Sequence, residues 1–263
     1  MPLSAEPDTL MNSVIVRALL VRGMLAGVAA GVLAFGLAYL IGEPNVDAAI
    51  AYESAHSSGP DMELVSRAVQ STAGLATAVL VFGTAVGGIA ALAFCFALGR
   101  IGRFGARATG MLVAGGAFLT LFAVPFLKYP ANPPSIGNPD TIGRRTALYF
   151  GMIAVSVLIG MAALMLGRRL APRLGTGDAT IAAVVAYVAM LAAAMAVLPV
   201  VNEVPSDFPA STLWQFRMAS LGIQTLLWSS FGVIFGVLAE RVLHPRTAEA
   251  PVTATSEVPA PTA

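Results

Sequence analysis

The chain has 263 residues, 57% of them apolar and only 11% charged, with a net charge of +1 and a mean hydropathy of +0.81. A soluble domain carries roughly 25% charged residues, so a water-soluble globule is excluded, and nothing in the charge points to nucleic acid. The apolar runs are continuous and rich in Ala, Leu and Gly rather than alternating, which selects membrane helices over a closed barrel.

A helix needs roughly 20 apolar residues to cross the hydrocarbon core, so one compact domain of five to seven spans fits the length. Residues 1–16 read as a short lead-in, 17–244 as the transmembrane domain, and 245–263, built of Pro, Thr, Ala and Glu, as a disordered tail. No small-residue cleavage site follows a short apolar core near the start, so the first apolar run reads as a retained span. That span, residues 20–41, carries Gly23, Gly27 and Gly31 at four-residue spacing, which leaves a groove for close approach of another helix. Glu43 and Pro44 are expected to end it. A polar segment to about residue 70 follows, holding Glu43, Asp47, Glu53, His56, Asp61, Glu63 and Arg67. The second span, 71–98, is followed by Arg100, Arg103 and Arg107.

The third span, 108–127, runs into VPFLKYPANPP at 124–134. Pro125 should kink the helix, and Pro130, Pro133 and Pro134 cannot continue it; between them sits Lys128, the sole lysine. Asn138, Pro139 and Asp140 make a turn, and Arg144 and Arg145 precede the fourth span, 146–166. Arg168, Arg169 and Arg173 close its hairpin with the fifth, 179–201. That span exits as the third does, through VLPVVNEVPSDFP at 197–209. Trp214 and Arg217 introduce the sixth, 218–242. The expected fold is therefore all-α: a polytopic bundle of about six transmembrane helices in three hairpins. Phe-Gly steps at Phe82-Gly83, Phe150-Gly151 and Phe231-Gly232 admit a tandem duplication of hairpins.

Arginine placement orients the bundle. Arg17, Arg22, Arg100, Arg103, Arg107, Arg168, Arg169, Arg173, Arg241 and Arg246 fall on one side, against Arg67, Lys128, Arg144, Arg145 and Arg217 on the other. The positive-inside rule makes the first side cytoplasmic, with both termini. The outer loops then hold Glu43, Asp47, Glu53, Asp61, Glu63, Asp140, Glu203 and Asp207, an acidic face that attracts cations.

Several side chains could carry chemistry there. Glu203, beside Asn202 in a broken-backbone exit, could bind a cation together with freed carbonyls, or be an ordinary solvated carboxylate. Lys128 with Tyr129 reads as an interfacial anchor, or as a fixed cation pairing with Glu203. Glu53 and His56 form E-x-x-H, one face of a helix if the segment is helical; carboxylate and imidazole suit a divalent transition metal, although a lone outer histidine is usually inert. His244 lies on the opposite side, so a multi-histidine site needs another chain. Gln70 and Gln224 either hydrogen-bond between helices or line a pathway. The methionines read as filler, and Arg144, Arg145 and Arg217 as neutralising acidic loops or meeting anionic headgroups. The lone Cys95 excludes an internal disulfide. No nucleophile with a paired base, H-E-x-x-H or phosphate-binding loop occurs, so the expectation is a carrier, channel or membrane subunit rather than an enzyme.

Four stretches carry a family resemblance: LVSRAVQSTAGL at 64–75, LKYPANPP at 127–134, PDTIGRRTALYF at 139–150 and NEVPSDFPASTLWQFRMASLG at 202–222. Together they resemble the CbtA family of proposed cobalt transporter subunits, across about residues 16–243. The resemblance implies a bacterial inner-membrane protein associated with cobalamin biosynthesis. It also implies a small, single-span, histidine-bearing CbtB-like partner, with cobalt as substrate and no permanently bound cofactor. Lys128, Tyr129, Asn132, Arg144, Arg145, Asn202, Glu203, Trp214, Arg217 and Gln224 match its motifs by position. On that reading Asn202 and Glu203 contact the ion, Lys128 tunes the site, and Glu53, His56 and Asp61 gather the cation. A non-transporting scaffold, a carrier of another solute, and a homo-oligomer stay open.

Overall fold

The computed structural model describes residues 13–56, 65–134 and 136–244. Asp61, Glu63 and the tail expected over 245–263 lie outside these. Five helices make up the fold: α1 (Ser13–His56), α2 (Arg67–Ala97), α3 (Ala106–Lys128), α4 (Ile142–Val197) and α5 (Ala210–Leu243). All five are long and apolar enough to cross a membrane, and no strand occurs among the described residues.

Two departures from the sequence expectation concern helix boundaries. The first is at Glu43 and Pro44, which do not end a helix: α1 continues to His56. Proline lacks an N–H and its ring crowds the carbonyl four residues back. The turn ahead of it, Ala38–Gly42, is a π-helix in which the Glu43 N–H reaches back to Ala38 O. That wider turn makes room for the ring, and Asn45 Nδ2 donates to Ile41 O at 2.8 Å. Its last three to four turns thus carry polar side chains beyond the apolar stretch. The second departure is α4, where two spans separated by a loop were expected. It is one run that folds back at Gly175, with φ 80° and ψ 163°, a backbone region open essentially to glycine alone. The two arms pack antiparallel: a Cβ on Gly167 would stand 3.1 Å from Ala183 Cβ. Arg168, Arg169 and Arg173 therefore lie in the arm leading to the fold-back rather than in a connecting loop.

The bundle is tightest where α1 meets α2. A Cβ on Gly23 would stand 2.5 Å from Gly87 O, and one on Gly27 would overlap Gly83 O, so the glycine groove read from sequence is used for backbone-to-backbone contact. Leu19, Phe94, Trp228, Phe231 and Phe235 fill the core among α1, α2, α3 and α5, with Phe94 and Phe235 edge-on at 5.1 Å. The α4 hairpin leans on α3 through Val124, Met152 and Leu191, and its most apolar stretch is only 6% buried. Of the three Phe-Gly glycines, Gly83 faces Gly27, Gly232 faces Ala114, and Gly151 has nothing within 4 Å. Packing thus lends the duplicated-hairpin expectation no common role.

Candidate functional site

α3 and the second arm of α4 both end in proline-rich segments, and the chain between them and α5 forms the mouth of the bundle. Ahead of Pro125 the turn Phe118–Ala123 is again a π-helix, with the Val124 N–H bonding Leu119 O. Pro125 is therefore accommodated by widening, as Pro44 is. Tyr129 N–H to Pro125 O, 2.7 Å, and Leu198 N–H to Ala194 O, 3.0 Å, close the two helices.

Side chains then brace one exit segment against the other and against α5. Lys128 Nζ donates to Met195 O at 2.7 Å and the Tyr129 hydroxyl to Pro199 O at 2.9 Å. Arg217, on α5, donates from Nε to Ala131 O at 3.2 Å and from Nη2 to Asn132 Oδ1 at 2.9 Å. Glu203 Oε2 accepts from the Thr141 hydroxyl at 2.7 Å and the Asn138 N–H at 3.1 Å, and lies 3.3 Å from Arg145 Nε. Arg145 also donates from Nη2 to Asn138 O at 3.1 Å. The Thr141 hydroxyl, then the Asn138 N–H and the two neighbouring arginines, hold the Glu203 carboxyl below its ordinary range against the opposing effect of burial.

The end of α1 joins this frame. His56 Nε2 lies 3.3 Å from Asp207 Oδ2, and His56 Nδ1 donates to Tyr52 O at 2.7 Å. The Tyr52 ring stacks on His56 at 4.1 Å and meets Phe208 edge-on at 5.0 Å. The Tyr52 hydroxyl, chiefly, lowers the Asp207 carboxyl below its usual value. On the other side Arg67 pairs with Glu43 and, at 2.9 Å, with Asp47.

Inside the frame is a cavity of about 800 Å³. Of the residues singled out from sequence, Glu53, Tyr129, Asn132, Arg145, Asn202, Arg217 and Gln224 line it. Lys128, Arg144, Glu203 and His56 do not, and Asp61 lies outside the described residues. Although the E-x-x-H segment is helical, Glu53 faces the cavity while His56 faces Asp207. Polar lining groups whose side chains carry no hydrogen bond or ion pair among the described residues are Glu53, Thr146, Tyr149, Asn202, Ser220 and Gln224; Gln70 instead bonds locally to Val65 O at 2.8 Å. Among the described residues no three His, Cys, Asp or Glu side chains come together as a metal site. One carboxylate, two amides and proline-segment carbonyls form a hard-oxygen lining of the kind divalent cations take. Sequence reasoning missed Thr141, Tyr52 and the bracing role of Asp207. The turn at Asn138 and Pro139 is the local signal for Thr141, whereas Tyr52 and Asp207 are joined only by the tertiary fold.

Long apolar helices around a polar mouth define a multi-pass membrane protein of the transporter-subunit class. Over residues 16–240 the chain matches the family described as "Probable cobalt transporter subunit (CbtA)". It belongs to that family. No curated protein and no solved structure matches the chain.

Proposed function

We propose that this chain is the conduit of a cobalt uptake system, and that the outer cavity is the port at which the ion leaves water. The observation that carries this reading is the division of labour at the mouth. Lys128, Tyr129, Arg145, Glu203 and Arg217 are spent on bracing, while Glu53, Asn202 and Gln224 line the cavity with their polar groups uncommitted. In this reading Glu53 supplies the charge that offsets dehydration, Asn202 and Gln224 supply amide oxygens, and Glu203 holds the frame rather than the ion. Arg144, exposed beside the mouth, balances its charge, and the outer carboxylates with His56 draw the cation toward it.

The reading further takes α4 as two crossings, giving six in all, with both termini in the cytoplasm of a bacterial inner membrane. Cobalt is its cargo and not a resident cofactor, cobalamin synthesis its destination, and a small single-span histidine-bearing subunit its partner. The protein performs no catalysis. A scaffold role for the same subunit is favoured by one observation, the lack of three clustered His, Cys, Asp or Glu side chains among the described residues.

The test is equilibrium Co²⁺ binding to the purified full-length chain. Glu53→Gln is expected to weaken binding at least about tenfold, a loss of about 1.4 kcal/mol, with Gln224→Leu weakening it less. Unchanged binding in Glu53→Gln would remove the cavity from the ion's path, and no binding by the wild type would favour the scaffold.

A further inference from the structure

A second cavity, of about 550 Å³, lies on the flank of the bundle between α3 and the two arms of α4. Along its length the lining is small or apolar: Gly116, Leu119 and Thr120 from α3, Val157 and Gly160 from the first arm of α4, and Ala183 from the second. Its two ends differ. One closes against the ring of Tyr187. The other reaches Ile101, Arg168 and Thr176, where the turn between α2 and α3 and the fold-back at Gly175 lie side by side. Arg168 is the charged group that lines that end. Arg103, Arg168, Arg169 and Arg173 carry no ion pair or hydrogen bond among the described residues, Arg100 is turned back onto the Phe96 ring at 5.1 Å, and only Asp178 stands near them in sequence to offset them.

An apolar slot with the unpaired Arg168 guanidinium at one end, and Arg169 and Arg173 on the same arm of α4, has the charge pattern of a single amphiphile with an anionic head. We propose that this groove holds one anionic phospholipid. Its phosphate is bound by Arg168 with the Thr176 hydroxyl nearby, and an acyl chain lies over Gly116 and Gly160. Planar guanidinium groups donate to two phosphate oxygens at once, and basic pockets between membrane helices take anionic headgroups in this way. The lipid fills space that would otherwise be vacant between α3 and the α4 hairpin, whose own contacts with the bundle are sparse.

The test titrates the delipidated full-length chain in detergent with phosphatidylglycerol or with phosphatidylcholine and counts retained lipid by native mass spectrometry. The expected result is retention of one phosphatidylglycerol with a preference of at least about fivefold over phosphatidylcholine. Arg168→Gln should erase the preference and Arg168→Lys keep most of it. Nothing lies within 4 Å of a Cβ placed on Gly116, so Gly116→Leu starts its side chain in open space in the groove and should abolish retention of both lipids at an unchanged melting temperature. Equal retention of the two lipids, a preference that survives Arg168→Gln, or a co-purifying polypeptide displaced by Gly116→Leu would each overturn the proposal. None of these readouts depends on cobalt.

Discussion

Glu203 stands beside Asn202 in a proline-broken segment, and its surroundings decide what its charge does. One oxygen takes a hydroxyl, a backbone N–H and a guanidinium from the Asn138–Arg145 stretch, so the carboxylate ties one exit segment to the other. Because its folded pKa is depressed, its contribution to stability is complete above the unfolded carboxylate value of roughly 4.3 and is lost as pH falls through the lower folded value. The wild type should therefore lose thermal stability as pH is lowered from 5 to 3, and Glu203→Gln should be less stable at pH 6 while showing a shallower acid loss. Parallel melting curves of both proteins at pH 6, 5 and 3 check this; identical acid slopes would contradict it. At this scale the sequence was informative about place and less so about role. The KYPANPP and NEVP stretches mark the mouth, but whether a polar side chain there braces or binds depends on partners more than sixty residues away, such as Met195 for Lys128 and Thr141 for Glu203. No local pattern encodes those pairings.

Elements were legible where periodicity and small residues govern. The Gly23, Gly27 and Gly31 spacing predicts a close helix contact, and the partner glycines Gly83 and Gly87 meet it. Gly27→Val drives a branched side chain into the Gly83 carbonyl, and overpacking of this kind costs about 1–3 kcal/mol or more. Gly36→Ala, which meets nothing within 4 Å, should be neutral; yield of folded protein after detergent extraction separates the two. Boundaries were less legible. Pro44 looks like a helix end in sequence and Pro125 like a kink just before one, yet π turns ahead of both carry the helices through, since one extra residue per turn relieves the ring's clash. The same effect carries α1 past the apolar stretch and brings Glu53 to the cavity. At Gly175 the positive φ makes the fold-back dependent on glycine. Gly175→Val should cost about 1–3 kcal/mol, read as a lowered melting temperature of the purified protein, with no change expected for Gly177→Ala, which has open space around it.

For the whole molecule, composition settled the membrane class before any motif was considered, and the family match over residues 16–240 places the bundle among transporter subunits. What the sequence left open is how unevenly the bundle is built. α1, α2, α3 and α5 share a filled core, while the α4 hairpin stands against α3 with most of its apolar surface outward. The mouth cavity lies at the junction of these two parts, lined by residues from α1, α3, α4, α5 and the two exit segments. The central claim is that cobalt enters through that cavity past Glu53. It is tested most directly by cobalt accumulation in cells lacking native uptake, expressing this chain with its small partner, either wild type or Glu53→Gln at matched membrane abundance. The account predicts accumulation with the wild type and its loss to near background with the variant; undiminished accumulation in Glu53→Gln would contradict it.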